Sequence, residues 1–294
     1  MKAVRILLVL LAALFSGSTY SQLAAKAGTL AWHCPPCDRA CDLTAAAGPG
    51  TCRDCGMALV QRSAAAVDSL RSQRLQAAQN EPPKKNVAIL VFEGMEILDF
   101  AGPSEVFAVA PGFNVYTVAT TAAPIKSQGF VSITPNYTLA NCPAPDIVVV
   151  PGGSTDPLLR DEALVRWVQA SATRAEVMLS VCTGAVLLSK AGLLDGKQVT
   201  TFHSYIDELQ RVTPKATVLR NTRFVDNGQV ITTAGISAGI DGALHVVAKL
   251  RGEEAARRTA QHMEYDKWQP NQGLVVKAAP PQAKSKAAGA ARKK

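Results

Sequence analysis

The stretch EVMLSVCTGAVLLSKAGLL, residues 176–194, joins an apolar strand-like run to an apolar helix-like run, with Cys182 at the junction. A side chain at so sharp a strand-to-helix turn is forced outward at the carboxyl end of a sheet, where open α/β folds bind their ligands. Gly184, two residues on, lets the helix start close to the strand. A helix N-terminus favours a thiolate, which predicts a Cys182 pKa below the free value of roughly 8.5. The competing reading is a small buried residue packing the turn, since cysteine is among the most buried residue types.

Working outward from 176–194, the middle of the chain repeats the same alternation. VAILVF (87–92), NVYTVAT (114–120), DIVVV (146–150), EVMLSV (176–181) and QVTTF (198–202) read as strands. Residues 101–110, 157–172, 183–193 and 204–211 read as helices between them. Near-continuous apolar strands suit a sheet buried on both faces, which predicts an α/β domain with a mostly parallel sheet. TRFVDNGQVITTA (222–234) reads as a hairpin turning at Asn227-Gly228, followed by helices over 237–251 and 253–268 that break at Gly252. VVVPGG (148–153) ends a strand in a glycine pair whose N–H groups suit a developing anion. EILDFAGPSEVF (96–107) places Asp99 and Glu105 at a loop and helix start, where an acid can share a proton with a thiol. A helix-capping charge is the plainer role for either.

These pieces together resemble the ThiJ/PfpI superfamily: VAILVFEGMEILDFAGPSEVF, DIVVVPGG, SVCTGAVLLSKAGLLDGKQVTT and ITTAGISAGIDGALHVV. The forms LDFAGP, CTGA and SAGID look most like the isocyanide hydratase branch and the sensor domain of AraC-type regulators. The resemblance implies a flavodoxin-like, class I glutamine-amidotransferase-related fold over 87–270 and a homodimer. It implies Cys182 as nucleophile and Asp99 as its acid partner. Thr183 and the backbone of Gly152 and Gly153 would bind substrate or oxyanion, and Gly239 would line the pocket. Glu105 and His203 are secondary candidates, and no organic cofactor is implied. Many members carry a histidine after TT in the strand beyond the elbow. Here Phe202 takes that register and His203 comes one later, facing the other way, which weakens protease-like or deglycase-like chemistry. His245 and His262 are read as structural or surface residues, and Cys142 as a packed thiol.

Ahead of this domain lies a different texture. Residues 1–21, MKAVRILLVLLAALFSGSTYS, have the basic start, short apolar run and small polar end of a secretory signal peptide. An exported, periplasmic or secreted protein is expected, with no transmembrane segment after cleavage. In the module over 30–62, Cys34 and Cys37 form CPPC and Cys52 and Cys55 form CRDC, separated by 14 residues. That spacing suits a tetrahedral zinc-ribbon site, and Gly48, Pro49, Gly50 and Gly56 supply its turns. HCPPCDRACDLTAAAGPGTCRDCGMALV also resembles the small heavy-metal-binding module of exported bacterial metal-handling proteins. Cys41 can replace Cys37 as a ligand or join a disulfide, the rival arrangement in an oxidising compartment. His33 is read as an exposed loop residue that can assist. Residues 63–86 read as a helical spacer and linker, and 271–294 as a disordered basic tail.

The charge of +8 is unevenly placed. Residues 87–274 hold 15 Lys and Arg against 18 Asp and Glu, so the basicity lies in the flanks and argues against nucleic acid as a partner. Two function classes remain. The first is an enzyme in which the Cys182 thiolate attacks a small-molecule electrophile such as an isocyanide and Asp99 supplies the proton. The second is a redox, metal or ligand sensor that needs only a reactive thiol. A transcription regulator is disfavoured, because residues 269–294 are too few for a helix-turn-helix domain.

Overall fold

The computed structural model describes residues 30–35, 40–79 and 83–277, and the chain divides into two units at Glu81/Pro82. Residues 1–21, Cys37 and the tail beyond 277 lie outside the described residues. Among those described, no helix is long and apolar enough to cross a membrane.

The first unit pairs β1 (Leu30–His33) antiparallel with β2 (Val60–Ser63), then a 3₁₀ turn (Ala40–Leu43) and helix α1 (Ala64–Gln79). Its fully buried apolar side chains, among the described residues, are Cys34 and Val67. So small a core does not hold a fold by hydrophobic burial, and such modules use disulfides or a metal. Asp42, buried beside Cys41, pairs with Arg74 of α1.

The second unit is the α/β domain. Its elements begin β3 (Lys85–Leu90), α2 (Ile97–Val109), β4 (Phe113–Ala119), the hairpin β5 (Ile125–Ser127) and β6 (Val131–Ile133), and β7 (Tyr137–Thr138). Next come β8 (Ile147–Val150), α3 (Glu162–Ala172), β9 (Val177–Ser180), α4 (Ala185–Lys190), β10 (Gln198–Val199), α5 (Ile206–Val212) and β11 (Thr217–Val218). The hairpin strands β12 (Phe224–Asp226) and β13 (Val230–Thr233), helices α6 (Ala238–Arg251) and α7 (Glu253–His262), and β14 (Leu274–Val275) complete it. The main sheet has the order β14-β12-β13-β9-β8-β3-β4-β7. Every neighbouring pair is parallel except β12 with β13, so β12 and β14 run against the other six. All residues of β8, β9 and β13 are buried, as expected of strands covered on both faces.

The differences from the sequence reading have local causes. α2 begins at Ile97 and runs through Pro103, so Asp99 lies in its first turn. The expected helix over 157–172 is interrupted by Asp161, whose carboxylate accepts from the Leu164 N–H at 3.0 Å and caps α3. The helix after the elbow is shorter than 183–193 because Gly192 (φ +77°) turns the chain, with Leu193 N–H on the Leu188 carbonyl. QVTTF leaves the strand after Val199, since Thr200 and Thr201 bond to other segments through their side chains and backbone. The helix expected over 253–268 ends at His262. The sheet takes in Leu274 and Val275, beyond the domain boundary expected at 270.

Candidate active site and cysteine cluster

β9 delivers the chain to Val181 in extended conformation, and Cys182 then adopts φ +56°. A non-glycine residue at positive φ is strained and persists only where its surroundings fix it. Here the Cys182 N–H donates to the Ala234 carbonyl at 3.1 Å, and its own carbonyl accepts the Thr201 hydroxyl at 2.6 Å. Gly184 is obligatory, because a Cβ there would lie 2.1 Å from the Val150 carbonyl oxygen. The expected nucleophile elbow is therefore present, although it opens as a 3₁₀ turn over Cys182–Gly184.

Asp99 is fully buried and reaches the thiol. Each of its carboxyl oxygens accepts one backbone N–H, Gly152 at 2.9 Å and Ile236 at 2.9 Å. Burial pushes its pKa up to about 6 against the pull of those two N–H groups. Cys182 is pushed up to about 12, by burial first and then by the Asp99 charge, and the Thr183 N–H on its sulfur opposes this only in part. This reverses the expectation of a lowered thiol pKa. The six-residue α4 is a short dipole, whereas an adjacent carboxylate acts at contact distance. The two groups titrate as a pair that holds one proton between about pH 6 and pH 12.

The other expected residues fall on both sides of this line. Gly152 is present but its N–H is spent on Asp99. The Gly153 N–H donates to the Thr183 hydroxyl at 3.0 Å, so it faces that side chain and not an open oxyanion position. Gly239, the expected pocket residue, is buried in the first turn of α6. It packs α6 against the elbow, since a Cβ there would lie 2.9 Å from Val181 Cγ1. Glu105 points to solvent while Asp99, Gly102 and Val106 of the same helix are buried, so it is no partner of the thiol. His203 is exposed on the turn after Phe202.

Two neighbours of the thiol escaped the sequence reading. Gly235 fits where a Cβ would lie 2.3 Å from Phe202 Cδ2 and 3.2 Å from Cys182 Sγ, so the Phe202 ring stands beside the sulfur. Ile236 adopts φ +57°, a rare conformation for a β-branched residue, and so presents its N–H to Asp99. The small-residue run AGISAG after a strand was the available signal for a close approach. His245 is structural, bonded to the Asp226 carboxylate at 2.8 Å. Asp241 of the SAGID run is buried and holds Arg223.

In the first unit, the sulfurs of Cys34, Cys41, Cys52 and Cys55 all lie within 4.8 Å of one another. Zinc–sulfur bonds of about 2.3 Å in a tetrahedron place sulfurs about 3.8 Å apart, so the group fits a soft metal ion. Cys41 thus stands with the three expected ligands Cys34, Cys52 and Cys55. The CRDC turn is closed by Gly56 N–H on the Cys52 carbonyl at 2.9 Å, with Gly56 at φ +74°. Backbone N–H groups of Asp54 and Cys55 lower the Cys52 thiol to about 7, whereas contact with the Cys55 sulfur raises Cys34. His33 is buried, not exposed as expected, and its Nδ1 has no partner among the described residues.

A parallel sheet with a strained cysteine at an elbow and a buried acid against its sulfur defines a class of α/β proteins built around one buried thiol. The DJ-1/PfpI family model matches residues 85–249, and the chain belongs to that family. It is similar to the isonitrile hydratase of Pseudomonas putida, 34% identical over 180 residues that cover 61% of this chain and 78% of that one. It is also similar to the transcriptional regulator CdhR of Pseudomonas aeruginosa, 26% identical over 62% of this chain and 56% of the regulator. Among solved structures, a ThiJ/PfpI family protein from Pseudomonas syringae superposes with a TM-score of 0.60 at 31% identity, covering 65% of this chain and 78% of that one.

Proposed function

We propose that this chain is an exported, cysteine-dependent hydratase of isocyanide-like electrophiles, with Cys182 as nucleophile and Asp99 as proton donor. The observation that carries the reading is the buried thiol–carboxyl pair sharing one proton. The activity named for the Pseudomonas putida relative supports the substrate class. As the sulfur bonds to the terminal carbon of R–N≡C, the thiol proton passes to the Asp99 carboxylate and on to the same carbon, giving a thioimidate, R–N=CH–S. Water then adds to that carbon and a proton goes to nitrogen. The carbon–sulfur bond breaks, the pair regains its proton, and an N-substituted formamide leaves.

Incubation of the full chain with cyclohexyl isocyanide, followed by chromatography of the formamide, tests this. Turnover is expected in the wild type, none in Cys182→Ala, and at least about a hundredfold loss in Asp99→Asn. Isocyanide recovered unchanged from the wild type refutes the hydratase reading and leaves the sensor.

A second reading concerns the first unit, which we propose holds zinc or another soft metal ion through Cys34, Cys41, Cys52 and Cys55. Its support is the convergence of four sulfurs in a unit whose described residues bury little apolar surface. Export is supported by the residue pattern of 1–21, and cell fractionation tests it.

A further inference from the structure

A cleft of about 400 Å³ opens beside the elbow, with Thr201 and Ala234 in its wall. Those two residues hold the Cys182 backbone, through the Thr201 hydroxyl and the Ala234 carbonyl. Phe202, between Thr201 and His203 in sequence, packs against Gly235 beside the sulfur and is not among the residues that line the cleft.

The chemistry of the cleft is one-sided. No lining side chain is a carboxylate, whereas Arg220, Arg223, Asn221 and Gln272 bring N–H donors. Arg223 is fixed, with Nε on Asp241 and Nη2 on the Ser237 hydroxyl at 3.0 Å, and neither bond uses Nη1. Arg220 is adjustable, since its partner Asp207 lies outside the cleft and both side chains are exposed, at 58% and 87%. An exposed pair of this kind contributes at most about 1 kcal/mol, so an incoming anion can take Asp207's place. The volume and the apolar wall of Ile206 and Ala234 exceed what an inorganic ion fills, and pockets of this size bind small organic molecules.

We infer that this cleft binds a small organic carboxylate through Arg220 and Arg223, and that its occupancy tunes Cys182 through Thr201 and Ala234. The inference needs the thiol but not the isocyanide assignment, so the two fail separately. The test is calorimetric titration of the full chain with benzoate, with inorganic phosphate as comparison, alongside iodoacetamide alkylation of Cys182. Benzoate is expected to bind, about tenfold more weakly in Arg220→Gln, and up to about fivefold more tightly in Asp207→Asn, which removes the competing carboxylate. Saturating benzoate is expected to change the Cys182 alkylation rate about fivefold. Absence of benzoate binding, or binding indifferent to both substitutions, overturns the site. Phosphate binding as tightly as benzoate overturns the organic ligand. Binding with an unchanged alkylation rate overturns the effector role.

Discussion

Replacing Asp99 by Asn separates the two causes that hold the Cys182 thiol at about 12, leaving burial in place and removing the neighbouring charge. Burial is the larger cause and stays, so removing the charge brings the thiol only part of the way back, by roughly one pH unit, and raises the thiolate fraction at pH 7 about tenfold. A less basic thiolate is a weaker nucleophile, which reduces the net gain in alkylation to about three- to fourfold. The variant folds. Asn leaves one of the two N–H groups of Gly152 and Ile236 without an acceptor, at a cost of about 1–3 kcal/mol. Relief of the buried charge returns about 3 kcal/mol, because the raised Asp99 pKa favours the fold below the ordinary carboxylate range and that contribution is lost as pH rises through about 6. The assay is the iodoacetamide rate at the Cys182 peptide, read by mass spectrometry across about pH 6 to 11. Faster alkylation with abolished hydration is the expected outcome. Slower alkylation at pH 7, or a rate curve displaced to higher pH, would mean that Asp99 stabilises the thiolate, and the account of the pair would be wrong.

Gly235→Ala drives a methyl into the Phe202 ring and lowers stability by about 1–3 kcal/mol. Thermal unfolding reads the loss, and hydration falls with it, while Phe202→Ala in the same chain recovers part of both. Cys41→Ser lowers the zinc bound per chain, measured by chelator competition. Zinc content unchanged in that variant would remove Cys41 from its place among the four. Burial pushes Asp226 up, but His245, Lys249 and the Gly228 N–H outweigh it and hold the carboxyl below its usual range. Its stabilisation is present above the ordinary carboxylate pKa and lost as pH falls through the lower folded value. Asp226→Asn should thus cost about 2 kcal/mol at neutral pH and flatten the acid limb of the stability curve.

Cys182, Asp99 and the parallel sheet were legible because each leaves a pattern over neighbouring residues. Apolar runs announce buried strands, a Cys-Thr-Gly sequence announces a tight turn, and an acid near a first strand end announces a group at the same edge of the sheet. The state of the thiol was not legible, since it depends on the contact of Cys182 with Asp99, 83 positions earlier in the chain. The uses of the Gly152 and Gly153 N–H groups were hidden for the same reason, each being spent on a side chain from a distant segment. Ile236 gave no warning because positive φ is associated with Gly, Asn and Asp and not with β-branched residues. The place of Cys41 depended on how the chain between Cys34 and Cys52 folds back, which the spacing of two CxxC motifs does not specify.

On the proposed hydratase reading, the spent N–H groups favour one kind of chemistry over another. Acyl transfer places a negative charge on a substrate oxygen and needs free donors aimed at it. Here Gly152 serves Asp99, Gly153 serves Thr183, and the Thr183 N–H serves the Cys182 sulfur. An acyl substrate would have to break one of these bonds to be stabilised. An isocyanide carbon makes no such demand. It takes the nucleophile and the proton at one atom, and the nitrogen loses formal positive charge as it does so. A pair that is neutral at sulfur and anionic at Asp99 between about pH 6 and pH 12 has one proton to give as the sulfur bonds. Coupling the two events avoids a free thiolate in a buried site, the state that burial and Asp99 disfavour. The features that make Cys182 a poor thiolate at rest therefore suit it to an electrophile that is protonated at the carbon it attacks.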